Sequence, residues 1–187
     1  MKRSLLKLFR KRWFALLLCI VCVIASTLLN TRVGLGGKSD DLIESFYDSE
    51  RGGRCIGTQL ANLCKATTGL TAIAGHYNLD SSGATLASEQ LEGALQSAYG
   101  KARTLYKDYK ALLEAADELL ARLDLANISK RDAESLELYT TTIEDARSAI
   151  DSSDYNSAVQ DFLRVNSRFP TGGLAAFAGV HFPELFQ

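Results

Sequence analysis

Leu91–Leu123, LEGALQSAYGKARTLYKDYKALLEAADELLARL, is the stretch that decides the fold. Leu91, Leu95, Ala98, Ala102, Leu105, Tyr109, Leu112, Ala116, Leu119 and Leu123 follow one another at alternating spacings of four and three. That is the period of a helix burying one face. Held over ten positions it is a heptad seam, which a strand with its period of two does not produce. Lys101, Lys107, Lys110, Glu114, Asp117 and Glu118 fall on the remaining faces, with Lys110 and Glu114 at i,i+4 spacing. They read as a solvated face.

The same rhythm extends on both sides. Upstream, Leu42 and Phe46 share a frame with Ile56, Leu60, Leu63, Thr67, Leu70, Ala74 and Tyr77 through Ser49 and Gly53. This predicts one helix over 39–77, in which Gly52-Gly53, each costing about 1 kcal/mol relative to Ala, is a soft point. Downstream, a loop at Asp124–Ile128 leads to Ser129-Lys-Arg-Asp132, which has capping-box spacing with Asp in place of Glu or Gln. Leu136, Tyr139, Ile143, Ala146 and Ile150 follow, then Tyr155, Ala158, Phe162, Val165 and Phe169. The frame shifts at Asp151–Asp154, the mark of a heptad discontinuity, a kink or a second N-cap. Pro170 and Gly172-Gly173 end the pattern. The expectation is an all-α protein, an elongated antiparallel bundle of three to four long helices over 39–170. Its segments are 39–77, 86–125 and 129–169, followed by an apolar tail at 171–187.

Charge is distributed unevenly along the 187 residues. Residues 1–32 carry seven basic residues and no acid, whereas the remainder carries fourteen basic residues and all twenty-two acids, so a net −1 conceals +7 and −8. An acidic body excludes nucleic acid as a partner, because phosphate binding needs a basic face. Two Pro and fourteen Gly exclude collagen-like and Pro-rich disordered classes.

After a basic segment at 1–12 comes Trp13-Phe-Ala-Leu-Leu-Leu-Cys-Ile-Val-Cys-Val-Ile-Ala-Ser-Thr-Leu-Leu29, seventeen residues without a charge. It predicts a transmembrane helix over 13–29, with the lipid bilayer as partner. Trp13 lies at the interface, and the basic collar keeps the N-terminus cytoplasmic and the body extracytoplasmic. A cleaved signal peptide ending at Val23-Ile24-Ala25 competes with this reading, but the apolar run continues through Leu28 and Leu29. Leu16-Leu17-Leu18-Cys19 lacks the small residue that precedes a lipidated Cys. Residues 30–38 read as a flexible linker. Gly37-Lys38-Ser39 matches the close of a phosphate loop, yet Arg32 stands where its first Gly belongs and no strand precedes it.

No catalytic constellation is apparent. His76 and His181 form no His-Glu-x-x-His arrangement, and no Gly-x-Ser-x-Gly elbow occurs. Neither a metal nor a cofactor is expected. Cys19 and Cys22 lie in the span as small packing residues. Cys55 and Cys64 on one helix would be about 13.5 Å apart along the axis, too far for a disulfide. Arg51, Arg54 and His76 are the candidate contacts for a ligand or partner bound between helices near Gly52-Gly53. The tail residues Leu174, Phe177, Val180, Phe182, Leu185 and Phe186 either pack on the bundle or dock on a bilayer or membrane partner.

Tyr155-Asn156, Val159, Phe169-Pro170, Ala175, Phe177, Gly179 and Phe182 together resemble the closing signature of the LemA family, in which a single N-terminal span precedes long antiparallel helices. The match covers residues 154–186. At Arg51–Tyr77 the family's Asp-Leu-Ile-Pro-Asn-Leu-like segment is matched only in place, because its proline is missing and Gly57 and Thr58 stand near it. The resemblance implies a membrane-anchored bundle without established catalytic activity, working beside membrane or envelope proteins such as a membrane protease. The expected function is a non-enzymatic interaction or scaffold protein of the cell envelope. The alternative is a ligand or stress sensor.

Overall fold

The computed structural model describes residues 12–47, 55–97 and 101–187. The protein is all-α: the described residues form seven helices and no strand. They are α1 (Arg12–Tyr47), α2 (Ile56–His76), α3 (Ser82–Ser97), α4 (Ala102–Asp124), α5 (Lys130–Asp151), α6 (Tyr155–Asn166) and α7 (Thr171–Phe177). The chain divides into two compact units. One holds residues up to Asp40 together with Leu163–Phe182, and the other holds Asp41–Phe162 with Pro183–Gln187.

The second unit is the bundle. Helix α2 packs against α3, α4 and α5, and α3 packs against α4. Tyr77 meets Asp132 near one end of the α2/α5 pair while Gly69 faces Tyr139 further along, so the two helices run antiparallel. Leu60, Leu63 and Leu70 of α2, Leu91 of α3, Leu105, Leu112 and Leu123 of α4 and Ile143 of α5 are fully buried. Each contributes about 2 kcal/mol through removal of apolar surface from water. Ser88 and Cys64 are buried where α3 crosses α2, and the Ser88 hydroxyl donates to the Cys64 carbonyl at 3.3 Å. Burial pushes the Cys64 thiol up to about 11. Both body cysteines are free.

Several expected boundaries are corrected. The helix predicted over 39–77 is two helices. Cys55 Sγ donates to the Tyr47 carbonyl at 3.4 Å, and a Cβ at Gly57 would lie 3.1 Å from the Phe46 carbonyl oxygen. On one continuous helix residues 47 and 57 would be about 15 Å apart, so the chain turns back, and the bare Gly57 admits the return. The segment predicted over 86–125 begins at Ser82, where Asp80 accepts from the Ser82 N–H at 3.0 Å. It divides into α3 and α4, folded on one another with Arg122 donating to the Asp80 carbonyl at 2.9 Å. The segment over 129–169 divides at Ser152–Asp154, where the Ser153 hydroxyl accepts the Tyr155 N–H at 3.3 Å. Of the readings open there, a second helix start is the observed one. Ala98 of the seam, Ser49 and Gly52-Gly53 lie outside the described residues.

The first unit contains most of α1. The predicted linker at 30–38 is instead helical, continuous with 13–29 and running on to Tyr47. Gly34, Gly36 and Gly37 have nothing within 4 Å of a Cβ position, so nothing in their surroundings forces them out of a helix, and the cost relative to Ala is about 1 kcal/mol each. Ser39 therefore lies inside a helix. Among the described residues α1 is the one helix long and apolar enough to cross a membrane, and its most apolar window has no residue buried.

Candidate functional site

The start of α6 positions Tyr155 and Asn156, and both grip the chain beyond Phe182. Asn156 Nδ2 donates to the Phe186 carbonyl at 2.9 Å and its Oδ1 accepts the Phe186 N–H at 2.8 Å. A side-chain amide offers the same donor and acceptor as a peptide group, so Asn156 pairs with residue 186 as a neighbouring strand would. The Tyr155 hydroxyl donates to the Glu184 carbonyl at 2.9 Å, and the Glu184 carboxylate accepts the Arg103 N–H in the first turn of α4 at 3.3 Å. A carboxylate is favoured at a helix N-terminus.

These bonds seat Phe186 in an aromatic socket. Its ring centroid lies 5.1 Å from Tyr106, 5.5 Å from Phe46 and 5.6 Å from Tyr109, and Phe46 stands edge-on to Tyr155 at 5.1 Å. Phe186 is 3% exposed. Burial raises the phenols of Tyr109 and Tyr155 to about 12, so both remain neutral at ordinary pH. Of the two readings of the tail, packing on the bundle is observed for Pro183–Gln187.

The remaining signature positions divide between the units. Val159 is fully buried in the bundle. Phe169-Pro170 and Gly179 belong to the unit that contains most of α1. Gly179 has φ +69 and donates to the Ala176 carbonyl at 3.2 Å, while Val180 donates to the Ala175 carbonyl at 2.9 Å. This is a left-handed glycine closing a helix C-terminus, a conformation that penalises any Cβ. Ala175 is fully buried, whereas Phe169 and Phe177 are 93% and 87% exposed. The Ser39 hydroxyl donates to the His181 carbonyl within the same unit.

Of the candidate contacts, Arg51 and Arg54 lie outside the described residues and His76 lies within them. It stands at the α2/α5 joint with Nδ1 3.9 Å from the Asp132 carboxylate. Here the capping box acquires a third member. Asp132 N–H donates to Ser129 Oγ at 3.2 Å, and Ser129 N–H donates to the Tyr77 hydroxyl at 2.8 Å, which donates on to Asp132 at 2.6 Å. Tyr77 thus spans the gap that the shorter Asp leaves. The hydroxyls of Tyr77 and then Ser129 hold the Asp132 carboxyl below its usual range.

Between α4 and α5 runs an open groove of about 540 Å³, lined by Tyr109, Lys110, Leu113, Glu114, Asp117, Arg147 and Asp151. The Arg147 guanidinium bridges it to Asp117 at 3.0 Å. Among the described residues no group of three or more His, Cys, Asp or Glu side chains is placed to hold a metal ion.

Sequence reasoning missed Tyr77, Tyr106 and Glu184. A Tyr just beyond a helix end and three residues after a proline, as in Pro183-Glu-Leu-Phe186, are weak signals that gain meaning only once their partners are known. No family model matches the chain, nor does any curated protein or solved structure.

Proposed function

We propose that this chain is a non-enzymatic, membrane-anchored protein of LemA type, with an interaction or scaffold role in the cell envelope and membrane or envelope proteins as partners. The observation that carries the reading is the Trp13–Leu29 run of α1. Trp13, Leu16, Val23 and Leu29 are 80%, 61%, 65% and 65% exposed, a continuous apolar surface that water does not tolerate. The basic collar before Trp13 supports an orientation with the N-terminus cytoplasmic and the bundle outside. The family reading rests on the sequence signature alone; in this chain its Tyr155 and Asn156 hold residues 184 and 186, and its Gly179 closes α7.

Two measurements test this. A reporter fused after Gln187 should be active only on the extracytoplasmic side, and activity in the cytoplasm overturns the orientation. Affinity capture in mild detergent should recover one membrane protein reproducibly, and recovery of the chain alone overturns the scaffold role. The α4/α5 groove favours a second reading, a ligand or stress sensor binding between helices. It predicts that a small polar ligand raises the unfolding temperature and that Arg147→Ala abolishes the rise. The absence of any stabilising ligand removes that reading.

A further inference from the structure

We infer that Phe169 and Phe177 form a second contact with the bilayer, beside the span, in the outer interfacial layer. The inference rests on reading Trp13–Leu29 as membrane-spanning. Both rings belong to the compact unit that contains most of α1, and at 93% and 87% exposure they are almost bare. Val165, 66% exposed, belongs to the same segment. Proline to valine at 170–180, PTGGLAAFAGV, carries no charge, and Arg168 and His181 flank it. An uncharged, aromatic-bearing stretch bounded by cationic or polarisable groups has the composition of an interfacial anchor.

The length of the span brings this segment to the interface. Seventeen uncharged residues rise about 25 Å, short of a hydrocarbon core of about 30 Å. On the N-terminal side Arg10-Lys11-Arg12 block any extension. On the other side Arg32 is the one charge before Lys38, and its long stem reaches the headgroups from within the boundary. The helix therefore continues into the apolar layer to about Val33, three or four residues beyond Leu29. Ser39 then stands about 9 Å above that layer, close to headgroup height, and its hydroxyl holds the His181 carbonyl, four residues after Phe177. Lipid is the occupant that this placement supplies. The two aromatic rings would share the membrane contact with α1 and resist its rotation and tilt.

The test uses the full chain in proteoliposomes. Trp13 is the one tryptophan, so Trp13→Phe gives a background into which Phe169→Trp and Phe177→Trp are placed singly, with folding checked by helical signal. Lipids brominated near the top of the acyl chain should quench at least half of the emission at 169 and at 177, with a blue-shifted maximum and protection from acrylamide. Emission at the solvent maximum and full acrylamide access overturn the proposal. So does a blue shift that persists in detergent and ignores bromine, the sign of cover by a second copy. Native Trp13 provides the independent check. If brominated lipid quenches Trp13 but neither new tryptophan, the span stands and the second contact falls; if Trp13 is not quenched, the span reading itself fails.

Discussion

The ring of Tyr139 on α5 occupies the space that a side chain at residue 69 of α2 would take. A methyl group added at Gly69 would fall inside the van der Waals contact of the ring carbons Cζ, Cε1 and Cε2. The α2/α5 contact is therefore set by one missing Cβ.

Gly69→Ala should destabilise the bundle despite the better helix propensity of Ala. Propensity contributes about 1 kcal/mol in favour, and overpacking costs about 1–3 kcal/mol, leaving a net loss of about 1 kcal/mol. In a Tyr139→Ala background the same substitution should become stabilising. Urea denaturation of the four proteins of this cycle measures the coupling, and equal effects in both backgrounds would sink the account.

Asn156→Ala removes both hydrogen bonds to residue 186 and should cost about 2 kcal/mol. Phe186→Ala empties the aromatic socket and should cost about 3 kcal/mol. The two effects should be strongly non-additive, because either change releases Pro183–Gln187. Amide exchange at Phe186 reports the release directly, and protection unchanged in Asn156→Ala would contradict the pairing.

Thr67 is fully buried in α2, and its hydroxyl has no hydrogen-bond partner among the described residues. An unsatisfied buried polar atom costs about 1–3 kcal/mol, and Val has the same shape. Thr67→Val should therefore raise stability, by about 1 kcal/mol after its small helix-propensity difference. A lower denaturation midpoint in the variant would show that the hydroxyl is satisfied.

Asp132 has a lowered pKa, so its carboxylate favours the folded state above the unfolded value, and that contribution is lost as acid protonates the folded form. The loss should begin near the ordinary aspartate pKa of about 3.9 and deepen below it. Tyr77→Phe removes the strongest contact and should shrink this acid-dependent component, and Asp132→Asn should abolish it. Stability measured from pH 7 down to acid in the three proteins checks the order.

The helical class and the buried faces were legible, because burial imposes the 3.6-residue period. Leu91, Leu105, Tyr109, Leu112, Ala116, Leu119 and Leu123, all members of one written seam, are all buried. Continuity of axis was not legible. Periodicity reports which side of each turn faces the core, and a short connection that preserves phase, as between Leu95 and Ala102, leaves the pattern intact while the chain reverses. The opposite error occurred at 30–38, where three glycines suggested a linker inside an unbroken helix. Tyr155 and Asn156 were singled out as a resemblance, but their task could not be read from it. Their partners at 184 and 186 are reached through backbone atoms, which leave no mark on side-chain identity.

Phe46 and Phe186 share one aromatic cluster although nearly the whole bundle is written between them. A chain made from its N-terminus cannot complete that cluster until residue 186 has emerged. Helices α2 to α5 can pair as they appear, while the socket of Phe46, Tyr106 and Tyr109 waits open. A chain stalled short of residue 186 would leave the rings of Phe46, Tyr106 and Tyr109 without the phenylalanine that fills the space between them.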